Sequence, residues 1–267
     1  MIPKIIHYCW FGGKKLPNDV MHYIDCWRRY CPDYQIIEWN EENFDIKRCS
    51  YVKEAYEAKK WAFVADYVRL YVLYNYGGIY MDTDVEVVKS FDDLLDCQAF
   101  MCFENEKFVS IGTLGAIKGS GLVKELLESY DIRRFYLEDG SYDVTTNLHV
   151  VTSILSEKYN LKLNGKQQVL KEKICIFPME YFIAKSQPLG WIQADENTYA
   201  IHHYSGSWVD ENTKNIERKR RKYAVHYMKF IEKYVLKFSG MRVVFDNEGL
   251  LGIIKKIFAK LYKNEKG

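Results

Sequence analysis

The sequence predicts an α/β fold built on an open sheet, and three observations carry that prediction. The first ninety residues alternate strand-like and helix-like patterns in the order β-α-β-α-α-β. A short apolar run, Ile79-Tyr80-Met81, follows a Gly-Gly turn as a buried strand does and leads straight into Asp82-Thr83-Asp84. The helical stretch before that turn carries Asp66 and Arg69 three residues apart, hence on one face. With 267 residues, 48% of them hydrophobic, the chain is long enough for one large domain and a small appendage.

In chain order, Pro3 to Gly13 reads as a first strand and a Gly-rich turn, with the strand formers Ile5, Ile6, Tyr8 and Trp10. Asn18 to Tyr30 suits an amphipathic helix with Val20, Ile24 and Trp27 on one face. Pro32-Asp33 breaks it, and Tyr34 to Trp39 is the second strand. Tyr51 to Lys60 is a helix rich in Lys and Glu. The next helix runs from Trp61 and stops at Asn75-Tyr76-Gly77-Gly78, because glycine tolerates the backbone angles of a helix end and a sharp turn. After the aspartates come a short helix at Phe91 to Leu95, a strand at Ala99 to Glu104 and a small-residue strand or turn at Ile111 to Ile117, whose glycines allow close approach of a ligand. A helix covers Gly121 to Tyr130. Gly140 to His149 reads as a polar loop before a helix through Leu155, with Thr145, Thr146 and Asn147 as capping residues. Val169 to Pro178 is a strand, and Tyr199 to Ile201 a last one.

Two carboxylates one residue apart at the end of a buried strand are costly unless a cation neutralises them. Hard oxygen ligands suit Mn²⁺ or Mg²⁺, and such an ion bridges a diphosphate and takes up charge on a leaving group. In open α/β sheets ligands bind beyond the carboxyl ends of strands, which is where this pair falls. A D-x-D alone is a common surface turn. The buried strand, the Gly-Gly turn, Asp66 and Arg69 set this one apart.

The pattern A-D-x-x-R-x-x-x-L-x-x-x-G-G-I-Y-x-D-x-D, from Ala65 to Asp84, resembles the sugar-nucleotide-binding core of glycosyltransferase family 32, and the glucosylating domains of clostridial toxins are similar over the same core. I-H-x-x-W-x-G-G near the N-terminus and H-x-x-x-S-W at His203 to Trp208 resemble the two ends of that family's domain. The resemblance implies a Rossmann-like domain of GT-A type over residues 1–213 and a metal-dependent transferase that retains anomeric configuration. It implies catalytic roles for Asp66, Arg69, Asp82 and Asp84, with Asp66 and Arg69 on the donor sugar and the ribose or phosphate. Trp10 would stack the nucleotide base, Tyr80, Ser207 and Trp208 would shape the diphosphate pocket, and Thr83 and Asn147 would contact the donor. His203 would complete the metal site with Asp82 and Asp84. Adjacent strand side chains point oppositely, so one of His202 and His203 faces the metal, and the motif favours His203.

The net charge of +2 hides an asymmetry. Residues 214–267 carry 15 basic and 5 acidic residues, a net of +10, against −8 for the rest. Arg218 to Lys222 is a dense basic run, and Gly249 to Lys263 sets Leu250, Ile253, Ile254, Ile257, Phe258 and Leu261 opposite Lys255, Lys256, Lys260 and Lys263. This basic helical tail suits an anionic membrane surface. No nucleic-acid motif accompanies it. Seven scattered cysteines without a C-x-x-C fit free thiols in a reducing compartment. Met1 to Lys4 enters a strand at once, so no signal peptide is expected, and no apolar run reaches membrane-spanning length.

The expected protein is therefore cytoplasmic or peripheral on the cytoplasmic face of a membrane. It moves a hexose (galactose, glucose or N-acetylhexosamine) from a UDP-sugar to a lipid-linked oligosaccharide of capsule or O-antigen. Three alternatives stand beside it: a transferase with a protein acceptor, a non-catalytic nucleotide-sugar-binding module, and a metal-dependent phosphohydrolase or nucleotidyltransferase, which also uses paired carboxylates.

Overall fold

The computed structural model describes residues 1–185, 191–206, 215–216, 218–220 and 222–224. The chain divides into two units, Met1–Val209 and Asp210–Gly267. Of the second, the described residues are helical and carry Arg218, Lys219, Arg220 and Lys222. Arg221 and the expected amphipathic helix at Gly249 to Lys263 lie outside the described residues.

Among its described residues the first unit contains nine strands: β1 (Ile5–Cys9), β2 (Gln35–Trp39), β3 (Gly78–Met81), β4 (Val85–Val87), β5 (Ala99–Asn105), β6 (Phe108–Ala116), β7 (Gln168–Val169), β8 (Ile174–Phe177) and β9 (Ala200–His202). Its helices are α1 (Asn18–Tyr30), α2 (Ser50–Glu57), α3 (Trp61–Tyr76), α4 (Gly121–Glu128) and α5 (Asn147–Tyr159). Seven strands form one sheet in the order β2-β1-β3-β6-β5-β8-β7, and β4 and β9 form a separate ribbon. β1, β2, β3, β5 and β8 run in one direction; β6 and β7 oppose them. This is the expected α/β class, with a reversed strand in the middle of the sheet.

Strand alternation sorts the core into two layers. Along β3, Ile79 and Met81 join the layer under α1, while Tyr80 joins the layer under α2 to α5. Along β5, Phe100 and Cys102 face the first layer and Met101 and Phe103 the second. The α3–β3 turn requires glycine twice. Gly77 has φ 68° and a Cβ there would come 2.6 Å from the Lys118 nitrogen; Gly78 has φ 106° and a Cβ there would come 2.6 Å from the Ile5 carbonyl oxygen. The tight turn lets β3 lie directly against β1 with α3 on top.

One expectation changes. The structure joins Cys97 and Cys175 in a disulfide, and five cysteines stay free. Parallel pairing of β5 with β8 aligns Ala99 with Ile174 and brings the two cysteines to a Cα separation of 6.2 Å, a proximity that sequence spacing does not reveal. Of the two readings of Ile111 to Ile117, strand or turn, the structure takes the strand, since residues 111–116 belong to β6, a nine-residue strand hydrogen-bonded between β3 and β5.

Candidate functional site

The site grows from the carboxyl end of β3. Asp82 shares Tyr80's side of that strand and so meets α3. There the buried Arg69 places Nη2 3.1 Å from Asp82 Oδ1 and 2.9 Å from Asp66 Oδ1. Arg69 Nη1 donates to the Ile111 carbonyl at 3.0 Å, and its guanidinium lies 4.6 Å from the centre of the Tyr80 ring. Tyr80 Oη donates to the same Asp82 Oδ1 at 3.2 Å. One oxygen of Asp82 is thus tied down from behind, and Oδ2 faces Gly112. A Cβ at Gly112 would come 3.0 Å from Asp82 Oδ2 and 3.1 Å from His202 Cε1, so glycine is needed for the close approach. The backbone holds the same register, with the Asp82 nitrogen donating to the Gly112 carbonyl at 2.8 Å.

The ribbon supplies the other half. β4 leaves the D-x-D directly and pairs antiparallel with β9, with Val85 opposite His202. His202 Nε2 comes 3.1 Å from Asp84 Oδ1, and the Ser205 backbone nitrogen donates to Asp84 Oδ2 at 2.7 Å. Ligand atoms of Asp82, Asp84 and His202 all lie within 4.8 Å of one another. The His202 ring stacks on Tyr204, whose hydroxyl donates to Glu104 at 2.7 Å.

His203 turns the other way. Its Nε2 pairs with Glu86 at 2.8 Å and its ring stacks on Tyr23. The structure thus sets His202, and not the expected His203, beside the two aspartates. Pairing with β4 sets which of two adjacent side chains faces the aspartates, and the sequence motif could not fix that phase.

The electrostatics describe a site short of positive charge. Burial raises the Asp66 carboxyl to about 6, although Arg69 beside it pulls the other way. Burial also raises Asp82, against the opposing pull of Arg69 and His202. At Asp84, burial is outweighed by the hydrogen bond and charge of His202, which bring its carboxyl down to about 2. Burial disfavours the charged form of His202, but the bond to Asp84 reverses this and raises its pKa. Asp66 and Asp82 share one guanidinium and Asp84 meets only the His202 ring and the Ser205 amide, so carboxylates outnumber cations in the cluster. Two carboxylates and an imidazole around a common point, with a glycine leaving room, fit a divalent cation of the Mn²⁺ or Mg²⁺ kind. When bound, that ion would supply charge neutralisation for a diphosphate.

The remaining expected residues divide. Trp10 sits half-buried at the carboxyl end of β1 with Nε1 donating to the Lys14 carbonyl at 2.6 Å. Thr83 lies half-buried between the aspartates. Arg69 is 7% exposed and spent on Asp66, Asp82 and Ile111, so it organises the carboxylates and is not free to grip a sugar or phosphate. Tyr80 is 2% exposed and props Asp82 from behind; it does not line an open diphosphate pocket. Asn147 is buried too, accepting from Tyr130 Oη at 2.7 Å and donating to the Asp66 carbonyl at 3.3 Å. The expected sugar contact is thus a tie between the start of α5 and α3. Ser207 and Trp208 lie outside the described residues.

Sequence reasoning did not identify Gly112 or Glu104, and it read the backbone N–H groups of Ser205 to Trp208 as diphosphate contacts where the Ser205 amide donates to Asp84. The glycine-containing stretch around residue 112 did signal a close approach, but gave no indication of what approaches.

Residues 17–101 match the family described as "Glycosyltransferase sugar-binding region containing DXD motif". Inositol phosphoceramide mannosyltransferase 3 of Schizosaccharomyces pombe is 29% identical over 132 residues, 48% of this chain and 37% of that protein. Inositol phosphoceramide mannosyltransferase 1 of the same yeast is 24% identical over 94% of this chain and 76% of its own. Among solved structures, the PaToxG glycosyltransferase is similar with a TM-score of 0.45 and 18% identity, over 59% of this chain and 70% of that one. The chain spans little more than a third of the first of these yeast relatives. The matched region includes the D-x-D at Asp82-Thr83-Asp84 and lies on a mixed α/β fold with a mostly parallel sheet.

Proposed function

We propose that the chain is a metal-dependent transferase moving a hexose from a nucleoside-diphosphate sugar to a hydroxyl on a lipid-borne acceptor. The observation that carries this is the Asp82–Asp84–His202 cluster backed by Arg69, with more carboxylates than cations at the carboxyl end of β3. In this reading Asp82 Oδ2, Asp84 and His202 hold the cation, and the cation offsets the diphosphate's charge as it leaves. Arg69 and Tyr80 fix Asp82 so that its free oxygen is already oriented before the donor arrives. The Ser205 amide does the same for Asp84. Asp66, paired with Arg69, would meet a donor hydroxyl and Trp10 would offer its face to the base, as the family resemblance implies. Retention of configuration goes with this reading, as the family resemblance implies.

The names of the two yeast relatives favour a membrane lipid with a polyol or sugar head over a soluble acceptor. A lipid-linked oligosaccharide of capsule or O-antigen belongs to the same chemical class. Residues 214–267, with their net charge of +10, would hold the enzyme at an anionic, cytoplasmic membrane face. No described helix is long and apolar enough to cross a membrane.

The test is a panel of UDP- and GDP-hexoses with Mn²⁺, reading nucleoside diphosphate release by the wild type and Asp84→Asn, with and without a lipid extract. Release that needs Mn²⁺ and Asp84 supports the assignment and names the donor. Label in the lipid phase supports the acceptor class, whereas label on protein would replace it with a protein acceptor. Mn²⁺-dependent donor binding by calorimetry without turnover would make the chain a non-catalytic nucleotide-sugar-binding module, and absence of both would overturn the glycosyltransferase reading. Deleting residues 214–267 should release the protein from anionic vesicles in a flotation assay; unchanged flotation would refute the membrane role.

A further inference from the structure

On its far side, the ribbon that carries His202 presents a second group of metal-ligating side chains. α1 places His22 and Cys26 four residues apart, on one helix face. Cys26 Sγ lies 3.9 Å from His22 Nε2. Glu86 reaches the same point from β4, and ligand atoms of His22, Cys26 and Glu86 all fall within 4.8 Å of one another. The meeting is built into the fold, because Trp27 Nε1 donates to the Val85 carbonyl at 2.8 Å and locks α1 onto β4. Glu86 is held in turn by His203 Nε2 at 2.8 Å, and the His203 ring is fixed by stacking on Tyr23 at 4.8 Å and 15°. A histidine behind a ligating carboxylate is the kind of outer support that orients metal ligands.

We propose that His22, Cys26 and Glu86 form a second cation site, selective for a borderline-soft transition metal of the Zn²⁺ kind and separate from the aspartate cluster. Zinc bonds of about 2.0–2.3 Å to nitrogen, oxygen and sulfur put tetrahedral ligands roughly 3.6 Å apart. The His22–Cys26 separation of 3.9 Å is already near that value. A thiolate and a carboxylate cancel the charge of a divalent ion, with His22 neutral. The sulfur ligand favours zinc over the magnesium and manganese that suit the Asp82–Asp84 side. Cys26 is buried and His22 exposed, so an ion could enter from solvent past His22 and leave its fourth position to water. An ion there would pin α1 to the ribbon whose other face holds His202.

The test uses the full chain, stripped by chelation and kept reduced, titrated with Co²⁺ as a spectroscopic probe. One equivalent should produce a thiolate-to-cobalt charge-transfer band, which one equivalent of Zn²⁺ discharges and excess Mn²⁺ does not. Cys26→Ser should abolish the band, His22→Ala should weaken Co²⁺ binding by about tenfold or more, and Asp84→Asn should leave both unchanged. No thiolate band in the folded wild type, or a band that survives Cys26→Ser, overturns the site. If Cys26→Ser fails to fold, the exposed His22 decides, since unchanged Co²⁺ affinity in His22→Ala overturns it equally.

Discussion

His202 and His203 are neighbours in sequence and opposites in structure. His202 faces two aspartates, stacks on Tyr204 and closes a cluster of hard oxygen ligands. His203 faces Glu86 and Tyr23, beside a thiol and another imidazole. One residue of strand separates the two environments, and the β4–β9 register assigns each histidine to its side. The difference teaches that a two-stranded ribbon, by alternation alone, can keep two sets of metal-ligating groups apart within a few ångströms of chain.

The largest effect tests the premise that the aspartate side is the chemical one. Asp84→Asn should lower Mn²⁺-dependent nucleoside diphosphate release by roughly three orders of magnitude. A bound metal contributes several kcal/mol to such a transition state, and about 1.4 kcal/mol is a factor of ten. A drop of less than about tenfold would move the chemistry away from this face.

The next test separates the histidines. His202→Ala should weaken Mn²⁺ activation at least by the roughly 10–100-fold that loss of an outer-shell partner costs. His203→Ala should change it by less than about threefold. Equal losses in the two variants, read from Mn²⁺ titrations of activity, would break the comparison.

A third histidine shows what burial does without a carboxylate. His7 is fully buried, accepts at Nδ1 from Trp39 Nε1 at 3.0 Å and donates from Nε2 to the Gly77 carbonyl at 2.8 Å. Both nitrogens are satisfied only in the neutral ring. Burial accordingly lowers its pKa from 6.5 to about 4, despite the contrary effect of the Gly77 bond. Below 6.5 the unfolded chain binds the proton and the folded one does not, so the His7 contribution is present above 6.5 and is lost as pH falls through about 4. Between pH 7 and pH 5 this amounts to about 2 kcal/mol. His7→Gln, which keeps both hydrogen-bonding roles without titrating, should flatten that part of the pH dependence in urea unfolding. An unchanged slope would assign the acid sensitivity elsewhere.

The smallest effect concerns the space between the two halves of the site. Gly112→Ala should lower activity about tenfold, the worth of about 1.4 kcal/mol, because the new methyl would press on Asp82 Oδ2 and His202. Thermal unfolding should shift by only a few degrees, and a collapse in stability would show that Gly112 serves the fold instead.

The local half of the site was legible in the sequence. Asp66 and Arg69 share a helix face because helices repeat every 3.6 residues, and Asp82 and Asp84 end a strand because Gly77-Gly78 can make the turn before it. Those relations span under twenty residues and follow from backbone geometry. Non-local pairing left the rest unreadable. Arg69 and Tyr80 read as ligand contacts, yet packing of α3 on β3 turned both inward as supports for Asp82. Asn147 read as a sugar contact, yet Tyr130 and the Asp66 carbonyl occupy it.

By itself the sequence determined the α/β alternation, the paired carboxylates and the helix that backs them, since each depends on neighbours along the chain. Only the tertiary structure decided that His202 and not His203 meets Asp84, that Gly112 makes room for them, and that Cys97 meets Cys175. These contacts join segments 30 to 120 residues apart, and a one-residue change of register would reverse which side chains meet. That register is set by the packing of the whole sheet and ribbon, not by any stretch read alone.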